Sequence, residues 1–232
     1  MTLGKKKKAI LTAAVFAGLI FMVGGNTMAH AATPVTELAQ ASQMKRSTIT
    51  PLTNDSRVFK LDKDIETAKV TFDNRYGYTV AGHLYLPKNF DAHKQYPAVV
   101  ISGPFGAVKE QVSGLYAQEL AKQGFVTVAF DPSMTGESSG TRRNMGSPDI
   151  FTEAFSAAVD FVSNLKFVNP GEIGALGICG LSGMALTAAA NDTRIKAVAT
   201  SAMYDMSESI SDHYKGAYYT PEQRQIVKHH LA

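Results

Sequence analysis

A single cysteine among 232 residues leaves no partner for an internal disulfide, even in a compartment that would allow one. No Cys/His grouping has the spacing of a zinc site. No segment repeats, and no long low-complexity stretch interrupts the chain. The glycines Gly174, Gly177, Gly180 and Gly183 recur every third residue, which argues against a G-x-G-x-x-G dinucleotide loop. A surplus of positive charge is also lacking. Of the 23 Lys and Arg, four are lysines within residues 1–31, which hold no acid, so residues 32–232 carry 19 basic against 20 acidic side chains. Nothing in that balance favours a nucleic-acid partner.

What is present begins with those lysines. Residues 5–8 are a basic run, followed by the apolar stretch AILTAAVFAGLIFMVGG and by Ala29-His30-Ala31. This is the layout of a bacterial secretory signal peptide spanning residues 1–31, cleaved after Ala31, and it predicts export to the periplasm or the medium. The apolar run has about the minimum length that spans a bilayer, so a membrane is a partner if the segment stays uncleaved. Residues 32–64 are polar and weakly periodic and read as a linker or N-terminal arm.

From Ala68 the pattern sharpens. AKVTFDN and YTVAGHLYLP alternate and are joined by a turn, which predicts an antiparallel hairpin. YPAVVISG and GFVTVAFDP are continuous apolar runs, the mark of strands buried on both faces. Between them VSGLYAQELAKQG has helical spacing and ends on a glycine suited to a C-cap. DIFTEAFSAAVDFVSNLKF predicts a helix, EIGALGI a strand, GMALTAAAND a helix and IKAVATSAMYD a strand. This order predicts an α/β fold, a mostly parallel doubly wound sheet with an N-terminal antiparallel hairpin. Active groups in such sheets gather at the carboxyl ends of the strands, here Ser102–Gly106, Asp131–Glu137, Cys179–Ser182 and Asp205. Lys109, Glu110 and Gln111 read as an exposed, charged helix start, and Asp131 as a cap for its loop.

The stretch GICGLSG places a thiol and a hydroxyl where a strand bends into a helix. A nucleophile on such a bend is thrust out of the sheet, and the free N–H groups and positive dipole end of the helix can stabilise a thiolate or an oxyanion. Two residues compete for the role. Cys179 directly follows the strand, with Gly177 two before and Gly180 one after. Ser182 has Gly180 two before and Gly183 one after, but lies where a serine commonly caps a helix. The bland alternative is a glycine-rich turn around an inert cysteine.

With these stretches in order, the chain from about residue 66 to 215 resembles the α/β-hydrolase superfamily, and within it the dienelactone-hydrolase-like bacterial enzymes. The resemblance implies that Cys179 is the nucleophile and that the backbone N–H groups of Gly180 and Phe105 form the oxyanion hole. It implies hydrolysis of ester, lactone or related acyl bonds in a small-molecule substrate, with no metal or organic cofactor. It also exposes a departure. The superfamily carries eight strands, its acid after the seventh and its histidine after the eighth, whereas 27 residues follow Asp205 and read as helical. The hydrolase domain, residues 65–232, is therefore expected to lack its last strands and to be truncated, with little or no turnover. Asp205 is the remaining candidate acid, since some relatives draw it from that strand. None of His30, His83, His93, His213, His229 and His230 has the family histidine's place. The competing function is a non-catalytic hydrolase-fold remnant or binding module.

Overall fold

The computed structural model describes residues 46–143, 145–212, 220–223 and 225–226. Residues 1–31, with the expected signal peptide, lie outside the described residues, as do His213, His229 and His230. Among the described residues, no helix is long and apolar enough to cross a membrane.

Seven strands form one sheet: β1 (Ser47–Pro51), β2 (Thr67–Asp73), β3 (Thr79–Tyr85), β4 (Tyr96–Ser102), β5 (Val126–Phe130), β6 (Val168–Ile178) and β7 (Ile195–Ser201). Their spatial order is β1-β2-β3-β5-β4-β6-β7. The β1/β2, β2/β3 and β3/β5 ladders are antiparallel, and the β4/β5, β4/β6 and β6/β7 ladders are parallel. The expected hairpin is β2 and β3. The antiparallel part is larger by β1, which lies within the segment read as an arm and pairs Ile49 with Val70. β1 buries one residue of its five, Ile49, so it carries almost no hydrophobic signal.

Helices α1 (Val112–Lys122), α2 (Pro148–Ser163), α3 (Ser182–Asn191) and α4 (Met206–Asp212) occupy the connections. Strand alternation divides the core into two layers. Val126, Val128 and Phe130 of β5 and Ile173 and Ala175 of β6 face α2 and α3. Ala129, Leu176 and Ile178 face the other way, toward Ala117 and Ala121 of α1. The α2 side is the thicker core, where Phe130 meets Phe155 edge to face at 5.0 Å and Phe72 stacks on Phe161 at 5.1 Å. Helix α2 starts on a capping serine, Ser147, whose Oγ accepts from the Ile150 N–H, with Pro148 in the first turn. Because β4 and β6 run parallel, their carboxyl ends lie side by side, which brings the loop after β4 to the bend after β6.

Candidate functional site

Cys179 sits at that bend. It follows Ile178, the last residue of β6, and opens a single 3-10 turn, Cys179–Leu181, that leads into α3. Its φ is +57°, a left-handed conformation uncommon for a residue with a side chain and typical of strained functional turns. The thiol is half-buried. The first N–H groups of a helical turn have no intrahelical acceptor, so the Gly180 amide is available at the foot of the thiol.

The bend is crowded, and the crowding accounts for its glycines. A Cβ on Gly177 would lie 2.6 Å from the Ser182 Cα and 2.8 Å from the Ala185 Cβ. A Cβ on Gly180 would lie 2.9 Å from the Phe105 Cβ and 2.6 Å from the Met206 Sδ. Phe105, in the 103–108 loop after β4, is thus packed directly on Gly180. Its backbone N–H donates to no backbone carbonyl among the described residues. The residue is 41% exposed, and its ring lies 6.1 Å from that of Phe151. The rim of the thiol is apolar and aromatic, with Phe105, Met206 and Tyr204. Burial and the adjacent Cys179 thiol push the Tyr204 hydroxyl up.

Ser182 has a different position. It is fully buried, and its Oγ donates to the Gly177 carbonyl at 2.9 Å, tying the first turn of α3 to the end of β6. Asp205 is exposed at the start of α4. Its Oδ1 accepts from the Ser207 N–H at 2.8 Å, the Ser207 hydroxyl at 2.6 Å and the Glu208 N–H at 3.0 Å, and these bonds hold its carboxyl below the usual range. This is a helix N-cap. The D-x-x-E pattern of residues 205–208 is its sequence signature. The structure therefore brings Cys179, Gly180 and Phe105 together, buries Ser182 behind them and commits Asp205 to a helix end.

The two described histidines, His83 and His93, are remote from the thiol's chemistry. His93 precedes β4 and so lies at the opposite end of the parallel strands from Cys179. His83, in β3, is 2% exposed, with Nε2 3.8 Å from Glu110 Oε1 and Nδ1 without a partner. Burial, then the Lys109 charge, lower its pKa to about 4.

His83 borders a charge cluster that corrects one expectation. Lys109 is 0% exposed and Glu110 9%, so these residues are not an exposed helix start. The Lys109 Nζ lies 2.7 Å from Glu110, 2.9 Å from Asp131 and 2.7 Å from Glu137. Burial works against this ammonium, but Asp131 and the hydrogen bonds to the three carboxylates outweigh it and raise its pKa. Burial pushes the Asp131 carboxyl up, against the pull of Lys109 and two backbone N–H groups. Glu137, despite partial burial, is brought down to about 2 by hydrogen bonds from Lys109 and Lys69. His83, Glu110 and Glu137 have ligand-type atoms within 4.8 Å of one another, as a metal site would, but the Lys109 ammonium already bridges the two carboxylates.

Two members of the cluster, His83 and Glu137, make the fold acid-sensitive, while the raised Asp131 carboxyl works the other way. Between pH 6.5 and about 4 the unfolded chain protonates His83 while the folded chain does not, so stability falls as pH falls. Below 4.5 the Glu137 contribution is lost in the same direction, down to about pH 2. Melting temperatures measured across this range should drop for the native chain and drop less between pH 6.5 and 4 for His83→Gln. Equal slopes would show that His83 is not the group concerned.

A polar cleft of about 760 Å³ lies elsewhere, lined by Arg75, Glu153, Asp160, Asn191 and Arg194 among others. Both of its arginines are paired, Arg75 with Glu153 at 3.0 Å and Arg194 with Asp160 and Asp192, so among the described residues the cleft offers no free cation.

Comparison with known proteins places this geometry among relatives. Residues 77–230 match the family model of X-Pro dipeptidyl-peptidases (S15 family). The uncharacterized protein PA2218 of Pseudomonas aeruginosa is 51% identical over 221 residues, which is 95% of this chain and 58% of that one. Its crystal structure superposes with a TM-score of 0.73 at 55% identity, over 79% of this chain and 57% of that chain. The thiohydrolase AneE of Aspergillus aculeatus is 31% identical over 56% of this chain and 40% of its own. The α/β hydrolase GrgF of Penicillium sp. superposes with a TM-score of 0.60 at 25% identity, over 72% of this chain and 52% of that chain. The chain thus spans about half the length of these relatives. The narrower likeness to dienelactone hydrolases has no counterpart among them.

Proposed function

The chain belongs to the X-Pro dipeptidyl-peptidase (S15) family, within the α/β hydrolases, and from that premise we propose that it cleaves ester, lactone or related acyl bonds through a covalent intermediate on Cys179. The observation that carries the reading is the left-handed Cys179 on the β6–α3 bend, with Phe105 packed on Gly180 beside it. The thiolate would attack the carbonyl carbon. The resulting oxyanion would accept hydrogen bonds from the Gly180 and Phe105 N–H groups, each worth about 3 kcal/mol. Collapse of the intermediate would expel the leaving group and leave a thioester, which water would hydrolyse to the acid and the free thiol. A relative named as a thiohydrolase supports acyl chemistry of this kind.

The step that needs a base is proton removal from the thiol and from water. Neither His83 nor His93 reaches Cys179. On the described residues, which place no histidine at the thiol, we propose that acylation outpaces deacylation. The test is intact-mass analysis after incubation with a p-nitrophenyl ester: one acyl group on Cys179, released slowly, supports the reading. No adduct would favour a non-catalytic binding module, for which the absence of a histidine at the thiol among the described residues already speaks.

Export is proposed on the layout of residues 1–31 alone. N-terminal sequencing of the product from a bacterial host should begin at Ala32; a chain beginning at Met1 in the cytoplasm would refute it.

A further inference from the structure

We propose that Lys109 is a positioning residue, whose buried ammonium clamps the 103–108 loop to the end of β5 and so holds Phe105 against Gly180. The inference rests on the reading of Cys179 as nucleophile and Phe105 as oxyanion donor, and extends it to a residue that touches neither thiol nor substrate.

The clamp is double. The Lys109 backbone N–H donates to Asp131 Oδ1 at 2.7 Å, and its Nζ donates to Asp131 Oδ2 at 2.9 Å. Main chain and side chain of one residue thus grip both oxygens of one carboxylate. Asp131 follows β5, the parallel neighbour of β4, so the bonds tie the end of one strand's loop to the end of the next strand. The carboxylate is itself immobilised. Its Oδ2 also accepts from the Glu137 N–H at 3.0 Å, and Gly136 approaches so closely that a Cβ there would lie 2.1 Å from the same oxygen. On the other side, a Cβ on Gly114 would lie 2.4 Å from the Lys109 carbonyl oxygen, so α1 backs the residue. The loop's first residue, Gly103, is wedged against the Ile178 carbonyl, one residue before Cys179. With both ends fixed, Phe105 has one place to be.

Stability alone is a poor account of this arrangement. Desolvating an ammonium and its carboxylates is costly, and apolar replacements of buried ion pairs are often neutral or stabilising. What the ion cluster supplies is direction: a misplacement of about 1 Å in a positioned group can cost about 10²-fold in rate. The salt-like bonds fix the far end of a loop whose residues 104–108 are exposed or only partly buried.

The experiment compares two reactions of the same thiol in the full chain. Acylation by p-nitrophenyl acetate develops an oxyanion; alkylation by iodoacetamide does not use that pocket. Lys109→Met should slow acylation of Cys179 by about 10²-fold or more, while alkylation changes by less than about threefold. Lys109→Met leaves carboxylates unpaired and can impair folding, so Lys109→Met/Asp131→Asn is assayed beside it. That variant keeps an acceptor for the residue-109 N–H and restores the native net charge of the cluster, with Lys69 still paired to Glu137, and it should show the same selective loss with a cooperative melt. Unchanged acylation in either folded variant, or acylation and alkylation falling together, would overturn the proposal while leaving Cys179 as nucleophile. A native chain that alkylates but never acylates at Cys179 would overturn the nucleophile reading, and this proposal with it.

Discussion

Cys179→Ala abolishes acyl-adduct formation, lowering ester-dependent release of p-nitrophenolate by more than about 10³-fold, whereas Ser182→Ala leaves the adduct on Cys179. The asymmetry follows from where the bend puts each side chain. Cys179 takes a left-handed φ of +57° that turns its thiol out of the sheet, half-exposed beside Tyr204. Ser182 is fully buried, and its hydroxyl proton is spent on the Gly177 carbonyl at 2.9 Å. To act as nucleophile, Ser182 would have to leave that bond and cross the first turn of α3. Its loss should instead cost about 1 kcal/mol of stability, as for an ordinary buried hydrogen bond. Intact mass and peptide mapping after ester treatment decide between the two. An adduct on Ser182 in the Cys179→Ala chain would mean that the wrong residue has been assigned.

The strands that carry the site were legible because they are apolar and buried: YPAVVISG became β4 to within one residue, and GFVTVAFDP contains β5, which is two residues shorter at each end. The bend was legible because glycines stood where backbone and side chains from other elements come too close for a Cβ. β1 was not, since STITP buries only Ile49 and an edge strand needs little more than backbone pairing. The Lys109 cluster was illegible for a different reason. Its members come from β3, the turn before α1 and the loop after β5, and nothing local distinguishes a lysine that meets three carboxylates from one that meets water. The sequence KEQ at a helix start reads as solvated charge until the fold closes over it. Asp205 was read as the end of a strand, but β7 stops at Ser201 and Asp205 caps α4; its neighbours Ser207 and Glu208 already spelled that cap, and the local bonds claimed the carboxylate.

The contact between loop and bend yields the second large effect. Gly103→Ala should cost about 3 kcal/mol or more and slow acylation of Cys179, while Gly106→Ala should cost about 1–2 kcal/mol with acylation little changed. Both glycines have positive φ, +110° at Gly103 and +80° at Gly106, so both substitutions strain the backbone. They differ in what the new methyl meets. At Gly106 nothing lies within 4 Å. At Gly103 the methyl would sit 2.2 Å from the Ile178 carbonyl oxygen and 3.1 Å from its carbon, main-chain atoms that cannot swing aside like a flexible side chain. Relief requires the β4 loop and the β6 end to part, and Ile178 is bonded to Cys179. Separation there moves the thiol away from Phe105, so stability and acylation should fall together. Urea melts and the p-nitrophenyl acetate burst, measured on both variants, read the two quantities independently. If Gly103→Ala behaves like Gly106→Ala, the cost is backbone strain alone, and the loop does not depend on the bend for its position. If it alone loses both, the oxyanion loop and the nucleophile bend are one rigid unit, held at one end by this close approach and at the other by Lys109.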